Sequence, residues 1–159
     1  MADYDIRPLQ LRILKILLAV DNVCKEHGLR YYIMAGTMLG AVRHKGFIPW
    51  DDDLDIGMPR ADFDLLMSHS KEWLPKPYEA VCAENDPNYP LPFAKIQDAD
   101  TTLIERMHLK YLGGIYLDVF PLDGVPQSNL KQRIHFARYE FYKRVLYFIY
   151  RDPYKHGKG

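Results

Sequence analysis

The chain has 159 residues, of which 48% are hydrophobic and 26% charged, an ordinary composition for one globular domain with its own core. Its 21 basic and 21 acidic residues balance, so the net charge argues against nucleic acid as a partner. The two cysteines, Cys24 and Cys82, lack the spacing of a zinc site or a disulfide framework. We expect both to be buried thiols.

Two features of the sequence bear on its location. It opens with Met-Ala-Asp-Tyr-Asp, without the basic and apolar segments of a secretory signal. No stretch approaches the roughly 20 apolar residues that a membrane-spanning helix needs. We therefore expect a cytoplasmic protein with no membrane span.

The first predicted element is a helix from Pro8 to His27. Its apolar residues cover a broad helical face, Pro8 suits a first turn, and Gly28 is typical of a helix stop. A helix lying on a membrane surface is the alternative, but the polar face is not dominated by lysine and arginine. We expect a core-forming helix.

A short strand is predicted over Leu29–Ala35, and a helix follows it. This helix starts at Gly36 and Thr37 and runs to about Lys45, with the next glycine as its stop. The unpaired backbone N–H groups at a helix start are a natural seat for phosphate. A helix cap without any binding role is the alternative for the Gly-Thr pair.

Basic residues end this second helix. Arg43 is a candidate for binding a phosphate-bearing substrate. The alternative is a surface cation that is favourable near a helix C-terminus, which is also the role expected of His44 and Lys45.

The next segment carries acidic residues at every other position. Because alternate side chains of a strand point to the same face, a strand here would bring Asp51, Asp53 and Asp55 together and turn Asp52 away. Aligned carboxylates repel one another unless a cation relieves them, and hard oxygen ligands suit Mg²⁺, with Mn²⁺ as the alternative ion. Asp53 and Asp55 are the main metal candidates, whereas Asp51 binds the metal, positions water or caps a turn.

A calcium-binding loop is an alternative for the same segment. Its first three acids match the first three ligands of an EF-hand, and Asp62 falls at the twelfth position. The sixth position, however, is Ile56 rather than glycine, and the apolar neighbours fit a strand better. We therefore favour the strand.

Three elements are predicted after the acidic segment. An amphipathic helix covers Arg60–Trp73 and a strand covers Tyr78–Ala83. The proline- and asparagine-rich segment 84–92 is a predicted loop, which we expect to border the substrate.

A hairpin is predicted from two strands, Phe93–Asp98 and Thr101–Met107, around an Asp-Ala-Asp turn. Lys95 lies in the first strand between apolar neighbours. It is either an exposed lysine on a half-buried strand or a point-charge partner for phosphate.

One acid interrupts the apolar strand predicted over Ile115–Phe120. Burying Asp118 among apolar neighbours without a partner is costly. It therefore either accepts bonds from nearby backbone donors or joins Asp53 and Asp55 at the metal.

The last predicted helix starts at Ser128, runs to about Tyr150 and is rich in aromatic and basic residues. Its spacing fits an amphipathic helix whose apolar side needs a partner better than it fits nucleic-acid binding. A second copy of the chain is one candidate, which would make a homo-oligomer. We place a catalytic core at residues 1–127 and the helix with its tail at 128–159.

Four blocks of the sequence together resemble one family. They are Ala35–Arg43, Trp50–Gly57, Phe93–Ile96 and Leu117–Asp123. In these blocks the chain is similar to the LicD family of phosphotransferases, relatives of the fukutin proteins. LicD-like proteins usually continue well beyond the last block, so we expect a C-terminally truncated or short member.

The resemblance implies an α/β (α+β) fold of the nucleotidyltransferase type, with a small mixed sheet flanked by helices. It implies Mg²⁺-dependent transfer of a phospho-alcohol, typically phosphocholine from CDP-choline, to a sugar hydroxyl of a cell-surface glycan such as lipopolysaccharide, teichoic acid or capsule. With the residue patterns, it yields these candidates: metal ligands Asp51, Asp53, Asp55 and Asp118, the last three also catalytic, and substrate-binding residues Gly36, Thr37, Arg43 and Lys95.

Two other functions stay open at the level of sequence. The same metal site could transfer a nucleoside monophosphate to a small molecule or protein. A module that binds metal or nucleotide without catalysis is the non-enzymatic alternative.

Overall fold

The structure, a computed structural model, describes residues 5–104 and 112–150. Residues 5–104 and 112–122 belong to one unit, and the described residues 123–150 belong to a second. In chain order, the elements are α1 (Arg7–His27), β1 (Tyr32–Ile33), α2 (Ala35–His44), β2 (Asp55–Pro59), α3 (Arg60–Trp73), β3 (Tyr78–Val81), β4 (Ala94–Leu103), β5 (Gly113–Leu122) and α4 (Asn129–Tyr150).

The strands of the first unit form one mixed sheet in the order β1-β2-β5-β4-β3. Strands β2 and β5 run parallel, and the other neighbours are antiparallel. Helices α1, α2 and α3 pack against this sheet. The predicted α/β (α+β) class, a small mixed sheet with helices beside it, is therefore confirmed.

The hydrophobic core lies between one face of the sheet and the helices α1 and α3. Because side chains alternate along a strand, each of the three central strands sends buried apolar residues to this face, and α1 and α3 cover them with apolar residues of their own. The sheet contributes Ala94, Ile96, Ile56, Met58, Leu117 and Val119, α1 contributes Ile13, Ile16 and Val20, and α3 contributes Phe63 and Leu66. Burying each of these side chains other than Ala94 contributes about 1.5–3 kcal/mol. The opposite face receives the alternate residues, among them Asp55 and Asp118.

The helices are where the sequence predicts them. The predicted bounds of α3 are those observed, and α1 differs by one residue at its start. The backbone of Gly28 is left-handed, with φ 67°, and ends α1 as expected. The stop of α2 differs, because Lys45 rather than the following glycine takes the left-handed conformation, with φ 57°.

Two strand predictions are wrong. The predicted strand over the acidic segment begins only at Asp55, so Asp51 and Asp53 precede it. The predicted hairpin is a single strand, β4, which continues through the Asp-Ala-Asp sequence with a shift in register. Its remaining predicted part, up to Met107, lies outside the described residues. The strand predicted from Leu29 is reduced to the two residues of β1.

Bonds to side chains explain why β4 does not turn back. The Thr101 hydroxyl donates to the Asp98 carbonyl at 2.7 Å and accepts from the Ile115 amide at 2.8 Å. The Asp98 carboxylate accepts from the Asp100 amide at 3.0 Å and from Arg12 on α1 at 2.7 Å. These bonds hold the irregular stretch as a bulge against β5.

The second unit contributes α4, which follows Ser128 as predicted. The Ser128 carbonyl accepts the first described helical bond, from the Gln132 amide at 2.8 Å. Among the described residues, no helix combines the length and apolar content that crossing a membrane requires. Both cysteines are buried free thiols, as predicted, and burial raises the pKa of Cys24 to about 11.

Candidate active site

A tight turn carries the chain into the acidic segment. The Asp51 amide donates to the Ile48 carbonyl at 3.0 Å, and two further acids follow before β2 begins. One carboxylate oxygen from each of Asp51, Asp52 and Asp53 lies within 4.8 Å of the other two. This spacing and these hard oxygen donors suit a divalent cation.

Asp52 is brought into this group against the sequence prediction. The sequence predicted a strand here, in which the Asp52 side chain would point away from those of its two neighbours. The segment is not a strand at this point, so the alternation of side chains does not apply. Asp52 is exposed, whereas its two neighbours are partly buried.

The carboxylates are held in an environment that disfavours their charge. Burial, followed by repulsion from Asp55, Asp51 and Asp52, raises the pKa of Asp53 to about 6. Burial and then the charge of Asp51 also raise the pKa of Asp55. A bound cation would reverse both effects, since it favours the ionised forms.

A polar row crosses the sheet beside this group. Asp55 on β2 is the register partner of Asp118 on β5, and Asp118 is the partner of Lys95 on β4. The Asp118 amide donates to the Leu54 carbonyl at 3.0 Å. The parallel pairing of β2 and β5 thus places side by side two acids that are distant in sequence.

Lys95 is one of the most buried side chains in the described part of the chain, with 1% of its surface exposed. Its Nζ atom lies 3.8 Å from Asp118 Oδ1 and 3.1 Å from the centre of the Tyr116 ring. The exposed-lysine alternative is therefore wrong. The carboxylate and the aromatic face compensate a charge that would otherwise be costly to bury.

The start of α2 touches the acidic segment at two points. A Cβ atom at Gly36 would lie 2.9 Å from Asp51 Oδ2, so only glycine leaves that carboxylate where it is. The Thr37 hydroxyl accepts from the Asp55 amide at 2.8 Å. The helix-cap alternative for Thr37 is not observed, because Met34 occupies the cap position and makes no side-chain cap bond.

The entry into α2 has an unusual backbone. Ala35 has φ 45°, a left-handed conformation that costs a residue with a Cβ on the order of 1–3 kcal/mol. Arg43 lies exposed in the last turn of the same helix, and the contacts described above do not bring it to the carboxylates. The structure thus joins Gly36 and Thr37 to the acidic segment.

The calcium-loop alternative is contradicted by the placement of its acids. Asp55 begins β2 and Asp62 lies in α3. Asp62 accepts from Arg30 Nε at 2.8 Å. A strand and a helix therefore divide the twelve positions that one EF-hand loop would need.

One side chain that contacts the acidic segment was not predicted. Gln10 of α1 is 3% exposed and bonds the backbone of the turn that contains Asp51. The sequence did carry a signal, because a glutamine stands three residues before Ile13 in the apolar stripe of the helix. A polar side chain on a buried face needs a partner.

Comparisons with known proteins give matches over most of the chain. The family described as LicD/FKTN/FKRP, nucleotidyltransferase domain, matches residues 28–150. The chain is 34% identical over 129 residues to lipopolysaccharide cholinephosphotransferase LicD of Haemophilus influenzae, a match that covers 80% of this chain and 48% of that protein. The chain thus spans about half the length of this relative.

Two further relatives match shorter parts of the chain. An uncharacterized protein of Rickettsia prowazekii is 42% identical over 52 residues, which are 33% of this chain and 20% of that protein. Human ribitol 5-phosphate transferase FKRP is 46% identical over 39 residues, which are 24% of this chain and 8% of that protein. Because the family match covers most of the sequence, the chain belongs to the LicD/FKTN/FKRP nucleotidyltransferase domain family.

Proposed function

We propose that the chain is the catalytic part of a Mg²⁺-dependent phosphotransferase. It would move a phospho-alcohol, phosphocholine first among the candidates, from a CDP-activated donor to a sugar hydroxyl of a glycan such as lipopolysaccharide. The observation that carries the proposal is the contact between the acidic segment and the start of α2, at Gly36 and Thr37. The name of the Haemophilus relative supports the choice of phosphocholine and lipopolysaccharide.

The carboxylate oxygens of the acidic segment are suitable ligands for a divalent cation. Oxygens of Asp51, Asp52 and Asp53 lie within 4.8 Å of one another, and burial with the charges of these neighbours and of Asp55 raises the pKa of Asp53. The charges of such a group need neutralising. Asp53 and Asp55 would hold Mg²⁺, with Asp51 and Asp118 as further ligands and Mn²⁺ as the alternative ion. Such an ion neutralises a diphosphate and stabilises the charge that develops on its oxygens during transfer.

The chain's own residues would bind and orient the donor. The first N–H groups of α2, at Gly36 and Thr37, would seat a phosphate, as helix starts do. The bond from the Asp55 amide to Thr37 keeps this seat and the carboxylates in one arrangement. Lys95 would add positive charge beside Asp118, and Arg43 is a candidate for contacts farther along the substrate.

The transfer itself needs one proton acceptor. The acceptor sugar oxygen attacks the phosphorus that carries choline, the bond from that phosphorus to the CMP oxygen breaks, and CMP leaves with the bonding electrons. The proton of the sugar hydroxyl goes to a carboxylate of the chain, in this proposal whichever of Asp118 and Asp51 does not hold the ion. A positioned base of this kind typically contributes about 10²–10⁴-fold to the rate.

The test is calorimetric titration of CDP-choline into the purified chain, with and without Mg²⁺. We expect binding that requires Mg²⁺ and disappears in a variant with both Asp53→Asn and Asp55→Asn, while Asp64→Asn on α3 binds as the parent does. Incubation with lipopolysaccharide should then release CMP. Binding without any need for Mg²⁺ would refute the cation site, and pyrophosphate released from a nucleoside triphosphate would favour nucleotidyl transfer instead.

A further inference from the structure

Gln10 donates from its side-chain amide nitrogen to the turn that carries Asp51. Its Nε2 atom donates to the Ile48 carbonyl at 3.1 Å and to the Asp51 carbonyl at 2.9 Å. Its Oε1 atom accepts from Arg7 at 3.2 Å. Both amide hydrogens therefore go to a segment that lies far away in sequence.

These bonds hold both backbone polar groups of Asp51. The Asp51 amide already donates to the Ile48 carbonyl at 3.0 Å, and Gln10 holds the Asp51 carbonyl. The residue is thus anchored from the core side by α1, while its carboxylate lies against Gly36 on the other side. Gln10 itself is 3% exposed, so water does not readily replace it as a donor.

We propose that Gln10 is a positioning residue for the cation site, one that fixes the Asp51 main chain so that the three carboxylates converge. The inference rests on the proposed function, because it assigns Gln10 a role at that site. Gln10 lies outside residues 28–150, the range that the family matches. Side chains that orient metal ligands typically change metal affinity by about 10–100-fold when they are replaced.

Two variants distinguish the effect of losing the hydrogen-bond donors of Gln10 from the effect of losing its side-chain volume. Gln10→Met keeps a similar volume and removes every hydrogen bond. Gln10→Glu keeps the oxygen that accepts from Arg7 and removes both donors. The matched control is Asn85→Leu, because the Asn85 side-chain amide also bonds the backbone. It donates to the Ala80 carbonyl at 2.8 Å and accepts from the Cys82 amide at 2.9 Å.

The experiment measures Mn²⁺ affinity by electron paramagnetic resonance and the hydrogen exchange of the Asp51 amide by NMR, at a temperature where every variant is folded. We expect both Gln10 variants to bind Mn²⁺ about tenfold more weakly and to exchange the Asp51 amide faster. The exchange of the Ile16 amide in α1 should stay slow. The control should match the parent chain in both measurements.

The possible outcomes distinguish this inference from the proposed function. Unchanged Mn²⁺ affinity in Gln10→Met and Gln10→Glu overturns the inference, whatever happens to thermal stability, because a merely structural glutamine would lower stability alone. Weaker binding in Gln10→Met but not in Gln10→Glu also overturns it, since the donors would then be irrelevant. A parent chain that binds no Mn²⁺ refutes the proposed cation site, and the role of Gln10 at that site with it.

Discussion

Replacing Asp53 by asparagine should stabilise the metal-free chain at neutral pH, and the effect should vanish in acid. Burial and the neighbouring acids raise the pKa of Asp53 from 3.8 to about 6. Ionising Asp53 is therefore harder in the folded chain than in the unfolded one. The free-energy penalty is absent below the unfolded pKa, grows between the two pKa values, and is complete above the folded one.

The magnitude follows from the size of the shift. A change of about 2 pKa units corresponds to about 3 kcal/mol at 1.36 kcal/mol per unit. The Asp53 side chain is only partly buried, and solvent screening reduces the contribution of such a group. We expect Asp53→Asn to raise the free energy of unfolding by about 1 kcal/mol near pH 7.5 and by about zero near pH 4.

Urea denaturation in EDTA at these two pH values is the assay. The difference between the variant and the parent chain removes the titration of groups that do not interact with Asp53. Asp64→Asn, at an exposed position of α3, is the control and should change stability by no more than about 0.5 kcal/mol. A variant that is less stable than the parent near pH 7.5, or a gain that is equal at both pH values, would refute the reasoning.

Three further predictions concern the residues around the acidic segment. Gly36→Ala should leave thermal stability within about 1 kcal/mol but weaken Mn²⁺ binding about tenfold, because its methyl group displaces the Asp51 carboxylate; calorimetry showing unchanged affinity would contradict this. Thr37→Val should lower the free energy of unfolding by about 1–3 kcal/mol, since the Asp55 amide loses its acceptor, and Thr37→Ser should restore most of it in urea melts. Lys95→Met should cost about 3–5 kcal/mol by removing one partner of a buried ion pair, and a variant as stable as the parent would show that the pair contributes nothing.

Local signals in the sequence determined the helices. The apolar stripe and the flanking Pro8 and Gly28 predicted α1, and the pattern of Arg60–Trp73 predicted α3, because helix periodicity and helix stops depend on neighbours a few residues away. The sequence also showed the acidic segment and, before it, the Gly-Thr pair at the start of a helix. The resemblance of four sequence blocks to the LicD family implied both the mixed sheet and the family.

Local sequence signals gave wrong predictions where contacts between residues distant in sequence determine the backbone conformation. The turn predicted at Asp98 became a bulge because Arg12 and Ile115 bond that stretch from other elements. The predicted strand over the acids begins only at Asp55, and the Asp51 amide bonds the Ile48 carbonyl in a turn rather than a neighbouring strand. Asp52 therefore joined a group that strand alternation had excluded it from.

The sequence by itself thus determined the kind of chemistry that we propose, since it displays the carboxylates, the helix start and the helices that support them. Only the tertiary structure decided the arrangement. The parallel register of two strands places Asp118 beside Asp55, and the antiparallel register of a third places Lys95 behind Asp118. Gln10 reaches the turn at Asp51 from the first helix. These contacts join residues that are far apart in the chain, and no local pattern encodes which strands pair or where a buried amide finds its acceptors.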